Sequence, residues 1–118
     1  MPTLILNTNH KEVSSEKEVL LHSCFREILS EELNKSESFV LSVLNFGKSM
    51  QFGGATEKSA YVEVKNVEEI PKDKTSVITS RICLILEGKL GIKSEYCYVD
   101  FQESARHLWG WAGKTFAD

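Results

Sequence analysis

The chain has 118 residues, of which 42% are hydrophobic and 26% charged, and this supports one globular domain with a real core. Its net charge of -3 and the lack of a basic stripe with interleaved aromatics argue against a nucleic acid or an anionic membrane as partner. No apolar run approaches the ~20 residues needed to span a bilayer. The N-terminus has no basic segment followed by an apolar one, so no signal peptide is expected and the chain reads as cytoplasmic. Cys24, Cys83 and Cys97 are odd in number, widely spaced and set in apolar-periodic segments. They read as reduced core residues, and no histidine shares a metal-ligand spacing with them.

The first element is a strand near 3–8, preceded by Pro2. Proline after an initiator methionine favours methionine removal, which leaves a free secondary amine at the start of a buried strand. Burial disfavours the charged form of that amine and turns it into a base near neutral pH. Pro2 also suits the start of an edge strand, where a missing N–H does no harm. A helix near 15–33 follows, with Ser15-Glu16-Lys17-Glu18 as a capping box. Leu21, Cys24, Phe25, Ile28, Leu29 and Leu33 form its apolar stripe, and Asn34 suits the left-handed position that ends it. A strand near 39–46 closes the first half.

The second half repeats the plan. Tyr61–Lys65 reads as a strand, 73–90 as a helix with the stripe Ile78, Ile82, Ile85, Leu86 and Leu90, and 96–101 as a strand. The exit Leu33-Asn34-Lys35-Ser36-Glu37 matches Leu90-Gly91-Ile92-Lys93-Ser94-Glu95, about 57 residues on. A duplicated β-α-β unit gives an α+β two-layer sandwich: a four-stranded mixed sheet with two helices on one face. Phe39–Leu44 is apolar on both of its faces, and two helices cover only one. The other face calls for an oligomer whose sheets cover one another. A C-terminal tail folded back over the sheet would be too short to cover much of it.

Met50-Gln51-Phe52-Gly53-Gly54-Ala55-Thr56-Glu57 stands between the halves, and Trp109-Gly110-Trp111-Ala112-Gly113-Lys114-Thr115-Phe116 near the end. Together with Pro2 and Asn7-Thr8-Asn9, these motifs resemble the macrophage migration inhibitory factor family of the tautomerase superfamily, over essentially the whole chain. The resemblance implies a homotrimer with inward-facing sheets and active sites at subunit interfaces. It also implies keto–enol tautomerisation of phenylpyruvate-like and dopachrome-like compounds, without metal or cofactor. Carried over residue by residue, Pro2 is the acid/base and Lys35 pairs with the substrate carboxylate. Val67 is an apolar wall whose backbone N–H meets substrate. Tyr98 is contributed across the interface, and Trp111 and Phe116 lie near the pocket.

The sequence also departs from the family pattern. Asp100 stands where asparagine is common in the substrate-binding set, and a carboxylate there would repel an anion unless paired or turned away. Trp109 stands where a smaller aliphatic is common, and its ring would form a wall. Ser59 and Val62 occupy the positions of a Cys-x-x-Cys found in some members, which removes thiol-redox chemistry on that motif. A second functional reading is a cytokine-like signalling protein or host mimic, secreted by a leaderless route and binding a cell-surface receptor.

Overall fold

The computed structural model describes all residues, Met1–Asp118. Strand β1 (Thr3–Thr8) leads to helix α1 (Ser15–Leu33) and strand β2 (Leu41–Asn45). Strand β3 (Ala60–Val67) leads to helix α2 (Lys72–Leu90) and strand β4 (Cys97–Ser104). Two short strands, β5 (Gly110–Trp111) and β6 (Lys114–Thr115), make a terminal hairpin. The main sheet has the order β2-β1-β3-β4. β1 and β2 are parallel, as are β3 and β4, and the two units meet through the antiparallel pair β1/β3. The expected duplication is therefore present as a near-symmetric pair of right-sized crossovers. No helix is long and apolar enough to cross a membrane.

The two helix exits share their geometry. Asn34 (φ 53°) and Gly91 (φ 68°) both take the left-handed conformation, and each is followed by a short 3-10 turn, Glu37–Phe39 and Ser94–Tyr96. The turn shortens the expected strand 39–46: Phe39 belongs to the turn, and pairing with β1 starts at Leu41. The cap of α1 also sits one residue earlier than expected. Ser14, not Ser15, accepts from the Lys17 N–H at 3.2 Å, so the Ser15/Glu18 capping box does not form.

The core lies between the helices and one face of the sheet. Leu4 and Leu6, then Ala60, Val62 and Val64, alternate into it along β1 and β3. They meet Leu21, Phe25, Ile28 and Leu29 of α1 and Ile78, Ile82 and Leu86 of α2. Arg81 of α2 clamps the helices together, with Nη1 2.9 Å from Glu31 and 2.8 Å from Glu32, and Lys74 adds a 3.2 Å contact to Glu32. The cysteines are free and half-buried, and burial pushes the Cys97 thiol up to about 12, with Cys83 contributing. It is thus a protonated core thiol.

No element of the chain covers the second face of the sheet. Leu41, Val43 and Ile5 make its apolar part on β2 and β1. The register continues this face across β3 and β4 as Tyr61, Glu63 and Lys65, then Tyr98, Asp100 and Gln102. The two-sided apolar character expected of strand 39–44 is present, with Val40 and Leu44 against the core and Leu41 and Val43 outside it.

Candidate active site

A cavity of about 240 Å³ opens at the N-terminal end of β1. Its lining includes Pro2, Lys35, Val67, Trp111 and Phe116, five of the residues singled out from the sequence. They arrive from four parts of the chain. Pro2 is buried, and its carbonyl accepts from the Leu41 N–H at 3.1 Å, which ties the chain start to β2. Lys35 follows the left-handed Asn34. Its N–H donates to the Ser30 carbonyl at 3.1 Å and its carbonyl accepts from Ser30 Oγ at 2.5 Å, so the helix exit itself aims the lysine. Its ammonium has no carboxylate within 4.0 Å. Val67 ends β3, and the terminal hairpin brings Trp111 and Phe116.

Four further residues line the cavity: Met1, Phe39, Glu68 and Arg106. Phe39 meets the Trp111 ring edge-on, with centroids 5.8 Å apart, and Trp111 lies parallel to Phe116 at 6.2 Å. Arg106 places its guanidinium 5.9 Å from the Phe116 centroid and donates to Glu68 at 2.7 Å. The wall is therefore aromatic, with Phe39 set perpendicular to the parallel Trp111 and Phe116 rings, and its charged rim holds two cations and one carboxylate.

The electrostatics act on the chain's amino group. Burial lowers the pKa of the Met1 amine below its ordinary value of 8.0, Lys35 and Arg106 lower it further, and Glu68 opposes them. With Met1 attached the Pro2 nitrogen is an amide and carries no basic lone pair. An amine starting at Pro2 would meet the same apolar walls and the same two cations.

The structure does not gather the remaining expected residues here. Trp109 lines an adjoining depression with Met1, Thr3, Phe39 and Trp111. It is a neighbouring wall and not part of the main cavity. Asp100 lies on the open sheet face, where its carboxylate accepts from Tyr61 Oη at 2.7 Å and Gln102 Nε2 at 3.2 Å. Those two donors hold it below the usual carboxylate range, against the effect of burial. The carboxylate therefore stays ionised with neutral partners only, and the repulsion expected of it is avoided within one chain because it does not face Pro2. Tyr98 sits with Phe52, at 4.8 Å between centroids, over a separate pocket with Met50 and Tyr61. Tyr98 pairs with Tyr61 and Tyr61 with Asn7. Tyr98 is therefore roughly 16 Å from Pro2 along the strands and about 10 Å across them.

The family model of macrophage migration inhibitory factor matches residues 1–117. The chain belongs to the macrophage migration inhibitory factor family. A macrophage migration inhibitory factor homolog from Trichinella spiralis is 28% identical over 116 residues, covering 98% of this chain and 100% of that protein. The crystal structure of Leishmania major MIF2 superposes with a TM-score of 0.88 at 30% identity, covering 98% of this chain and 97% of that one. A family homologue from Prochlorococcus marinus superposes equally well, at 0.88 and 31% identity, over 97% and 98% of the two chains. The two-helix, four-stranded fold is that of the family, and the family supports isomerase-type chemistry in general terms.

Proposed function

We propose that this protein is a cofactor-free keto–enol tautomerase acting on aryl pyruvates of the phenylpyruvate type, with Pro2 as the general base once Met1 is removed. The observation that carries the reading is the convergence of Pro2, an unpaired Lys35 and an aromatic wall in one cavity. The proton beside a ketone is weakly acidic, and its removal makes an enolate with charge on oxygen. A base over the carbon and an anchor for the distant carboxylate are the minimum apparatus. A neutral Pro2 amine takes the proton, and the resulting ammonium returns it to the other atom. Lys35 anchors the carboxylate and favours the neutral amine, since like charges oppose each other.

The assembly belongs to the same proposal. Tyr98 cannot reach Pro2 within one chain, and the open sheet face leaves Leu41 exposed and Val43 half-buried. A homotrimer with inward-facing sheets would cover that face and bring a neighbour's Tyr98 to the pocket, where its hydroxyl would polarise the substrate.

Intact mass should show the processed chain beginning at Pro2, and that form should ketonise phenylpyruvate enol. Pro2→Gly keeps a free amine but loses the secondary amine and its rigid placement, so turnover should nearly vanish. Retention of most of the turnover in Pro2→Gly would remove Pro2 as the base.

A further inference from the structure

The charged rim of the cavity is unevenly paired. Lys35 is free, whereas Arg106 is held by Glu68 at 2.7 Å and lies over the Phe116 ring. Glu68 is itself held in an uncommon conformation. It follows the last residue of β3 with φ 74°, a left-handed position that most side chains avoid. Its N–H donates to the Ser104 carbonyl at 2.7 Å, and two residues on Ile70 N–H donates to Glu103 at 2.6 Å. The ends of β3 and β4 are thus cross-tied around Glu68, and its carboxylate meets the guanidinium that leaves β4 two residues later. Such conformations persist where the surroundings over-determine them.

A guanidinium is the side chain best shaped to hold a carboxylate, through two parallel N–H donors. Here the guanidinium lines the cavity, and Glu68 already takes one of its donors, Nη1, and offsets its charge. With Lys35 the rim has one net positive charge, enough for one carboxylate. A second carboxylate at the aromatic end would have to displace Glu68 or lie beside it against like-charge repulsion. We infer that the Glu68–Arg106 pair is a specificity element: it restricts the cavity to singly charged keto acids with a flat apolar end and rejects dicarboxylic ones. This rests on the reading of the cavity as a keto-acid site and names the substrate class within it. Glu68 acts through Arg106, so it is a positioning residue.

The test uses unreactive ligands, so that binding and turnover are read separately. Titration calorimetry on the processed protein compares phenylacetate with succinate. The wild type should prefer phenylacetate by roughly tenfold or more. Glu68→Gln, which keeps the shape and the polar contact, should narrow that preference by roughly tenfold through tighter succinate binding. The double variant Glu68→Gln/Arg106→Gln should lose the gain, because the freed guanidinium is what captures the second carboxylate. Arg106→Gln alone is an independent arm: it leaves Glu68 uncompensated and should weaken phenylacetate several-fold. Circular dichroism checks the fold of each variant. A preference in Glu68→Gln within twofold of wild type, a succinate gain that survives the double variant, or no saturable phenylacetate binding to wild type would each overturn the inference. Intact binding preferences without phenylpyruvate turnover would instead overturn the tautomerase reading and leave this one standing.

Discussion

Replacing Lys35 by alanine tests two consequences of one charge. The substitution spares the fold locally, because the helix exit is held by the Lys35 backbone and Ser30, not by the ammonium. The ammonium has no carboxylate partner in the protein, so its removal leaves no buried charge behind. A hydrogen bond to a charged group contributes about 1.5–3 kcal/mol. Lys35 is half-buried, and solvent screening favours the lower end of that range. About 1.5 kcal/mol corresponds to a rise in KM for phenylpyruvate of roughly tenfold. The second consequence follows from the amine. In the chain that keeps Met1, Lys35 is second only to burial in lowering the pKa of the terminal amine, and a Pro2 amine in the same cavity would feel the same charge. Its removal raises that pKa, so the acid limb of kcat/KM, which reports the free enzyme's base, should move to higher pH. The assay is a pH profile of kcat and KM on processed wild type and variant. If neither KM nor the acid limb moved, Lys35 would be a solvated residue past a helix end. If only the limb moved, it would lie near the amine without touching substrate.

Three further outcomes test the frame around the site. Phe25→Ala removes the largest fully buried side chain and should cost about 3–5 kcal/mol, read as a lowered urea midpoint at fixed protein concentration; a loss under 1 kcal/mol would contradict the placement of the core. Asn34→Ala puts a Cβ without a compensating polar group at φ 53° and should cost about 1 kcal/mol, whereas Asn34→Gly should not destabilise; equal effects would deny the left-handed exit that aims Lys35. Arg81 and then Lys74 hold the Glu32 carboxyl below its ordinary value of 4.5. A depressed carboxyl contributes stability that is complete above the unfolded value and lost as pH falls through the folded one, so the margin of wild type over Glu32→Gln should shrink from pH 7 towards acid. A margin independent of pH would mean that the clamp does not depend on ionisation.

Most of the fold was legible because it rests on periodicity. The stripe Leu21, Cys24, Phe25, Ile28, Leu29, Leu33 and its counterpart Ile78, Ile82, Ile85, Leu86, Leu90 mark both helices, and all but the half-buried Cys24 and Ile85 are buried. The matching exits marked the duplication, because only a few residues tolerate the conformation that Asn34 and Gly91 adopt. Boundaries were less legible. The turn at Glu37–Phe39 carries no glycine or proline, and Phe39 continues an apolar run, so the pattern places it in a strand. Ser14 and Ser15 are chemically equivalent as caps, and only the three-dimensional entry of the chain selects Ser14.

The site was legible only where a motif spans it. Pro2, Trp111 and Phe116 lie in motifs that carry the family resemblance, Lys35 and Val67 follow only once the whole chain is set against the family, and all five meet in one cavity. Glu68 and Arg106 belong to no motif, and 38 residues separate them. The parallel register of β3 with β4 is what joins them: Val67 pairs with Ser104, so the residues leaving the two strands emerge side by side. Had the expected strands been extended to Val67 and Ser104, that register would have placed both charges at the mouth of the pocket. The same register explains why Tyr98 and Asp100 are absent from it, since they lie farther back along β4. The five expected residues line the cavity floor and wall, whereas the side chains of Glu68 and Arg106, just past the strand ends, meet only at its rim. Selectivity within this fold is therefore best sought at positions such as Glu68 and Arg106, where a change alters the rim charge and leaves the core as it is, although both charges also act on the amine at the chain start.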